Sequence, residues 1–271
     1  MTDPTTPGSS PVTMVGAVVR LGLQQLLRSK RTIVFALLGL FPPVLSLLFA
    51  LLRSIPRLHI NATGFDFFSQ LMLVFYLQFL LILVALFYGS ALINSEVEDR
   101  TLTYLLLRPV RRPMLVLGKY ITYLIVALGI LLPSIGLSYL ILELSDGLGG
   151  ITRHFPYLLW DLGVMVLGAM AYGAFFMFLG TALKRPVMVG LFFTILWEWT
   201  ITHVPGRFGK FTILHYLLSL FPHSTVQRGI QALFGSVTSR PLAILALVGI
   251  TLAFLLLSME LFRRREFVLE Q

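Results

Sequence analysis

The sequence predicts an all-α, polytopic membrane protein with six transmembrane helices. Of its 271 residues, 57% are hydrophobic and only 12% are charged, whereas a soluble domain carries roughly 25% charged residues. The Lys and Arg residues stand mainly at the ends of apolar runs, which is typical of a membrane protein. The net charge of +9 therefore indicates contact with membrane lipid and no nucleic acid partner. The chain has no cysteine, so disulfides and thiolate metal sites are excluded.

The chain is predicted to have three parts. Residues 1–32 form a cytoplasmic tail with an amphipathic helix, residues 33–262 a six-helix transmembrane domain, and residues 263–271 a second cytoplasmic tail. In the first part, one helical face carries apolar side chains and the opposite face carries Arg20, Gln24 and Arg28; the apolar residues are Val12, Val15, Val19, Leu23 and Leu26. This spacing predicts a helix that lies in the plane of the membrane surface. The alternative is a frayed basic tail that only orients the first span.

Six apolar runs define the predicted spans, because about 20 apolar residues cross a hydrocarbon core of ~30 Å. They cover residues 33–52, 71–93, 117–142, 157–183, 187–203 and 242–262. Pro42, Pro43 and Pro133 lie inside these runs. Prolines are tolerated in membrane helices when neighbouring helices satisfy the freed backbone groups, and we expect kinks near Pro42 and Pro133.

The distribution of basic residues predicts the orientation. Fourteen Lys and Arg residues fall on one set of connecting segments and seven on the other. The richer side is expected to be cytoplasmic, which places both termini in the cytoplasm. All five histidines then lie at or beyond the outer edge. They lack the spacing of metal ligands, and we expect them to be solvated.

A charged segment, residues 93–120, separates the second and third runs and reads "INSEVEDRTLTYLLLRPVRRPMLVLGKY". Ser95 and Glu98 have the spacing of a capping box, and acidic residues fill the first turn, where the helix dipole favours them. Arg108 falls in the last turn, and Pro109 ends the helix. The segment predicts a short amphipathic helix beneath the membrane. The alternative is an ordinary charged loop.

This segment resembles the cytoplasmic loop of ABC-2 type transporter permeases. Those loops combine a Glu-x-Glu-x-Gly-Thr-Leu motif, a Leu-Leu pair, a proline followed by a basic residue, and a Gly-Lys at the next span. The matching residues are Glu96, Glu98, Thr101, Leu102, Leu105, Leu106, Pro109, Arg111, Gly118 and Lys119. Arg100 stands where the family usually has glycine.

The resemblance implies a mechanical role for the loop, residues 94–116. In such transporters it carries a coupling helix that docks on a separate ATP-binding cassette subunit, which binds ATP and Mg²⁺. The residues implied in coupling are Glu96, Glu98, Arg100, Thr101 and Arg108. Consistent with a separate ATPase, the chain contains no G-x-x-x-x-G-K-[ST] phosphate-binding loop, and we expect no cofactor in it.

The resemblance also implies an elbow helix near the N-terminus and a bacterial inner-membrane location. It further implies assembly with a second permease copy, as a homodimer or alternatively a heterodimer. Export is the expected direction. The apolar spans suit a hydrophobic or amphipathic cargo without selecting one. The alternative function is a secondary carrier or an ATP-independent membrane scaffold.

The stretch 205–241 and Glu198 are the candidate outer features. Residues 211–235 form two predicted short helices broken at Pro222, similar to the re-entrant helices of ABC-2 permeases; the alternative is an amphipathic hairpin on the surface. Glu198 lies in the fifth run, where ionisable residues usually face a bundle interior or a wet cavity. We expect it at the pathway or outer gate. The alternative is a carboxylate at the interface, paired with Arg207 or Lys210.

Overall fold

The computed structural model describes residues 11–55, 61–90, 112–183, 185–199, 212–223 and 238–264. All regular structure in these ranges is helical. The helices are α1 Pro11–Leu27, α2 Lys30–Arg53, α3 Gly64–Gly89, α4 Arg112–Asp146, α5 Leu148–Ala182, α6 Pro186–Phe193, α7 Ile213–Leu220 and α8 Arg240–Arg264. Helix α6 continues as a π-helical segment, Thr194–Trp199, and α3 contains two further π-helical segments, Met72–Leu80 and Ala85–Gly89.

Five of these helices, α2, α3, α4, α5 and α8, are long and apolar enough to cross a membrane. The fifth predicted run, 187–203, corresponds to α6 and its π-helical continuation, of 8 and 6 residues. At about 1.5 Å per residue, these residues span only about 21 Å, and residues 200–203 lie outside the described part. The all-helical membrane class is therefore confirmed with five candidate spans, and the sixth span stays a prediction.

Several predicted boundaries were wrong because the helices α3, α4 and α5 extend beyond the apolar runs. Helix α3 begins at Gly64, about two turns before residue 71, and Thr63 caps it. The Thr63 hydroxyl accepts from Asp66 N at 3.1 Å, and the Asp66 carboxylate accepts from Thr63 N at 3.2 Å, which is a capping box. Helices α4 and α5 both run to Gly147, which joins them with φ of 105°. Glycine adopts this left-handed conformation without steric cost.

Helices α3, α4 and α5 form the centre of the bundle, with α2 packed on α4 and α8 packed on α5. The prolines of α2 explain one contact between helices. Because Pro43 has no N–H, the carbonyl of Gly39 lacks its helical donor. The Ser134 hydroxyl of α4 donates to that carbonyl. Ser134 also bonds the buried Tyr76 hydroxyl of α3 at 2.8 Å, so one polar contact joins three helices.

The bundle has two ends. At the end we call the α1 end, α1 packs across α4, and a Cβ on Gly118 would lie 2.8 Å from Val18. Helix α2 begins at the α1 end, and helix α8 ends there. The opposite end, called here the histidine end, holds Arg53, Asp146 and Arg240 at helix termini. Helices α1 and α8 therefore place residues 11 and 264 toward the same end.

Helix α1 lies where the amphipathic helix is predicted. Val15, Val19, Leu23 and Leu26 are half-buried, and Arg20 and Gln24 are exposed. It ends at Leu27, and Ser29 caps the start of α2 by accepting from Arg31 N at 3.3 Å. The predicted frayed tail is therefore wrong for residues 11–27, while the helix's position relative to a membrane stays a prediction.

Candidate functional site at the histidine end

The predicted coupling residues, Glu96, Glu98, Arg100, Thr101 and Arg108, lie in residues 91–111, outside the described part of the chain. Their role stays a prediction. The backbone of Glu198 lies in the π-helical segment Thr194–Trp199, but its side chain is not among those described. Its gate role and its alternative pairing with Arg207 or Lys210 also stay predictions.

Helix α7 stands where the first helix of the 205–241 region is predicted. Thr212 caps it, with its hydroxyl accepting from His215 N at 3.2 Å, and the helix ends at Leu220, two residues before Pro222. All its side chains except Tyr216 are buried. This burial is incompatible with a surface hairpin for residues 212–223. The second predicted helix lies outside the described residues.

Two contacts hold the segment of residues 212–223, called here the α7 segment, against α5. The Trp160 indole N–H donates to the Leu220 carbonyl at 2.6 Å, and the Arg240 guanidinium lies 5.2 Å from the Trp160 ring centre. The second contact joins His223 to Asp161, whose Nε2 and Oδ2 atoms are 3.0 Å apart. Both contacts are made by adjacent residues of the fourth turn of α5, one with the last residue of α7 and one with a residue just after it.

The Asp161–His223 contact is sealed from solvent and extends to α3. Asp161 has no exposed surface, and the residue His223 is 4% exposed. His223 Nδ1 lies 2.9 Å from the Ser69 hydroxyl, which donates to the Phe65 carbonyl at 2.8 Å. Among the described residues, Asp161 Oδ1 has no hydrogen-bond partner. Burial of a carboxylate is costly unless it is paired, so His223 is the group that makes this position tolerable.

A second carboxylate–imidazole pair lies close by. Glu143, at the end of α4, is fully buried, and its Oε1 lies 2.9 Å from Nδ1 of His154. Its Oε2 has no hydrogen-bond partner among the described residues. The Phe65 ring stacks on His154 with centres 4.0 Å apart and lies 5.2 Å from His223. Phe65 therefore contacts the imidazoles of both pairs.

A cleft of about 570 Å³ opens beside the second pair. Asp146 lies in its wall, where its carboxylate pairs with Arg53 and accepts from Gly64 N at 2.7 Å. Glu143, Arg153 and His154 also line it. The cleft lies between the ends of α2 and α4 and the starts of α3 and α5. It exposes His154, but not His223, to solvent.

The expectation that the histidines are solvated was wrong for His215 and His223, which are buried, whereas His154 is half-buried and open to the cleft. His215 bonds the Thr238 hydroxyl through Nε2 at 2.9 Å. Each of these three imidazoles bonds a side chain at least 11 residues away in sequence. In the described part of the chain, no group of three or more His, Asp or Glu side chains is placed to hold a metal ion.

Sequence reasoning missed Asp161 and Glu143. Asp161 lies in the fourth predicted run, four residues after its start, and an ionisable residue inside an apolar run is itself a signal of function. Glu143 directly follows the third predicted run and was assigned to a loop. The pairing of each acid with a histidine had no signal in the local sequence.

The described residues provide buried hydrogen-bond donors and acceptors at one end of a helical bundle, and residues 91–111, which join α3 to α4, contain both acidic and basic side chains. Residues 17–267 match the family model described as ABC-2 family transporter protein. The match covers most of the chain and includes every predicted span. No individually curated protein matches the chain.

Proposed function

The chain belongs to the ABC-2 transporter family, and from this premise we propose that it is the membrane subunit of an ATP-driven exporter whose ATP is hydrolysed by a separate subunit. The family match over residues 17–267 carries the proposal. The multi-pass helical architecture supports it, since five helices are suited to cross a membrane. The sequence lacks a phosphate-binding loop of its own, which is why the proposal requires a partner that binds ATP and Mg²⁺.

The proposed coupling element is the loop of residues 94–116. A capped helix transmits force better than an unstructured loop, and its charged side chains provide specific contacts for a partner. Glu96 and Glu98 shape the helix start, and Arg100, Thr101 and Arg108 contribute to its docking surface. This loop follows α3 and precedes α4, whose adjoining ends both lie at the α1 end of the bundle. The ATP-binding cassette subunit is therefore proposed to bind at the α1 end.

The proposed topology has six spans, with α6 and the residues after it as the fifth, and both termini in the cytoplasm of a bacterial cell. The placement of residues 11 and 264 at the same end supports an even number of crossings. The excess of basic residues on the α1 side supports its cytoplasmic assignment. The histidine end then faces the outside, and the α7 segment lies at the outer mouth of the bundle.

We propose that two permease copies form the pathway, as a homodimer or alternatively a heterodimer. One face of α2 is exposed and apolar along its length, including Leu37, Val44 and Leu51. Such a face requires lipid or another chain against it. The proposed cargo is a hydrophobic or amphipathic compound, because the spans would give the pathway an apolar lining. Glu198 is proposed to lie near the outer gate.

Co-purification with a co-expressed ATP-binding cassette subunit tests the proposal. The double variant Glu96→Ala and Glu98→Ala should reduce recovery of the ATPase or abolish substrate-stimulated hydrolysis, because the helix start and its charges are lost. Glu260→Ala is the matched control. Glu260 lies at the same end of the bundle, on α8, and bonds only to the nearby Arg263 and Arg264 among the described residues. Wild-type association and transport in the double variant would refute the coupling role.

A further inference from the structure

We propose that the cleft at the histidine end binds a compound that carries both a primary ammonium group and an anionic group, as the ethanolamine headgroup of a phospholipid does. The ammonium group binds Glu143 at the floor of the cleft, and the anionic group binds Arg153 at its rim. None of the roles proposed above uses this cleft. Its position at the outer side of the membrane rests on the proposed function, but its ligand chemistry does not.

Glu143 provides the acceptor for the ammonium group. Its side chain has no exposed surface, and its Oε1 lies 2.9 Å from His154 Nδ1. Its Oε2 has no hydrogen-bond partner among the described residues, whichever atom carries the hydrogen of the His154 contact. A buried acceptor without a donor destabilises the structure around it. A ligand that brings an N–H group to Oε2 therefore makes a hydrogen bond that the described residues leave unmade.

The charges in the wall of the cleft indicate that the ligand also carries an anionic group. Asp146 is already occupied, because one of its oxygens pairs with Arg53 and the other accepts from Gly64 N at 2.7 Å. Of the acidic and basic side chains that line the cleft, this leaves Glu143 and Arg153. The Arg153 side chain is exposed and has no ion pair or hydrogen bond among the described residues. The free negative group is therefore deep and the free positive group is shallow, which matches a zwitterion bound with its ammonium group inward.

The surroundings of Oε2 favour a primary ammonium group. Gly150, which also lines the cleft, packs directly against Oε2, and a Cβ there would overlap it. Entry of the ammonium group requires a small shift of residues 147–150, three of which are glycines with a permissive backbone. A quaternary ammonium group has methyl groups in place of N–H donors, so it neither donates to Oε2 nor approaches it as closely. A metal ion is disfavoured, because the described residues place no group of three acidic or histidine ligands together.

The position of the cleft favours a lipid as the source of this headgroup. Its volume of about 570 Å³ is within the roughly 300–1,000 Å³ typical of small-molecule sites. It lies at the ends of α2 and α4, which are candidate membrane spans. Exposed apolar side chains flank its two arginines, with Leu51 and Ile55 beside Arg53 and with Phe155 beside Arg153. Acyl chains can cover this apolar surface while the headgroup fills the cleft.

The experiment uses the purified permease alone, in detergent and freed of bound lipid. It is titrated with a short-chain phosphatidylethanolamine and with the phosphatidylcholine that has the same chains, and native mass spectrometry measures each Kd. The unchanged chain should bind the phosphatidylethanolamine about tenfold more tightly, the effect of one hydrogen bond to a charged group. Glycerophosphoethanolamine carries the same headgroup without chains. Equal affinity for it would support the site with a soluble compound as its source, whereas much weaker binding would support the site with a lipid as its source.

Two variants separate the two ends of the ligand. Glu143→Gln removes the charge but keeps the size of the side chain, and it should bind both lipids equally. Arg153→Ala should weaken binding of both lipids by the same factor, because both carry the phosphate, and should keep the preference for phosphatidylethanolamine. Since the Arg153 side chain is exposed and makes no contact that Arg153→Ala would break among the described residues, this variant should fold normally.

A glycine pair tests access to Oε2. Gly150→Ala places a Cβ against Oε2 and should abolish the preference for phosphatidylethanolamine. Gly136→Ala is the matched control, because Gly136 lies on α4 outside the cleft and a Cβ there has nothing within 4 Å. It should bind like the unchanged chain.

Three results would overturn the proposal. They are equal binding of the two lipids by the unchanged chain, a preference that persists in Glu143→Gln or Gly150→Ala, and unchanged affinity for both lipids in Arg153→Ala. None of these outcomes depends on ATPase binding, so they leave the permease assignment to its own test.

Discussion

Replacement of Gly173 by alanine tests the packing of α4 on α5, two of the three central helices of the bundle. A Cβ at this position would overlap the ring of Tyr123, with three ring atoms closer than 3.0 Å. The ring cannot move away freely, because Tyr123 is 1% exposed and its hydroxyl donates to the Ala169 carbonyl at 2.9 Å. The substitution therefore forces either the helices apart or the Tyr123 bond to break.

The expected change in the free energy of unfolding is the sum of two destabilising contributions and one stabilising contribution. Overpacking a close-packed interior costs about 1–3 kcal/mol, and loss of the Tyr123 hydrogen bond adds about 1 kcal/mol. Replacement of a helical glycine by alanine returns about 1 kcal/mol through helix propensity. We expect Gly173→Ala to lower the free energy of unfolding by about 1–3 kcal/mol.

Gly163→Ala is the matched control, since Gly163 lies on the same helix and a Cβ there has nothing within 4 Å. It should be neutral or stabilising, so the two variants should differ by about 2–4 kcal/mol. Thermal unfolding of the purified permease in one detergent measures the difference. Adding Tyr123→Leu to Gly173→Ala should recover part of the loss, because the overlapping ring atoms are removed. Equal unfolding temperatures for Gly173→Ala and Gly163→Ala would show that α4 and α5 do not approach as described.

Three further predictions concern topology, assembly and the outer gate. Single cysteines at Thr2, Ser95 and Gln271 should resist a membrane-impermeant thiol reagent in intact cells, while those at Ser54, Ser145 and Ser236 should react; labelling at Ser95 from outside would reverse the orientation. Native mass measurement of the complex with its ATPase should find two permease chains, and one chain per complex would contradict the dimer. Glu198→Gln removes a charge but keeps the side-chain size, so it should reduce transport or substrate-stimulated ATP hydrolysis at normal expression. Wild-type transport by Glu198→Gln would leave Glu198 as a structural carboxylate at the interface.

Composition and hydropathy were sufficient to predict the class of the protein and the position of most helices. A hydrocarbon core requires about 20 apolar residues per crossing, so composition alone identified the runs that became α2, α3, α4, α5 and α8. The 3.6-residue period likewise located α1, whose half-buried and exposed faces are those expected. The motif residues in the loop of residues 93–120 were sufficient to indicate the ABC-2 family. The match over residues 17–267 shows the same family.

Helix boundaries were less accurate because hydropathy does not register polar helical turns. The first turns of α3 contain Asp66 and Ser69, which made them look like a loop, and only the Thr63–Asp66 capping box shows where the helix begins. The residues on either side of Gly147 were read as a connection between spans. They are instead the last and first turns of α4 and α5, because glycine turns the chain within one residue.

The burial of particular polar groups and the identity of their partners depend on how the helices pack. Asp161 and His223 are 62 residues apart, and Ser69 and His223 are 154 apart, so no local pattern relates them. Ser134 reaches the Gly39 carbonyl across 95 residues because Pro43 leaves that carbonyl without a donor. Hydrophobicity acts on each run separately and determines that it becomes a helix in the membrane, whereas a buried hydrogen bond needs two particular atoms about 3 Å apart. That proximity arises only when the helices pack against one another.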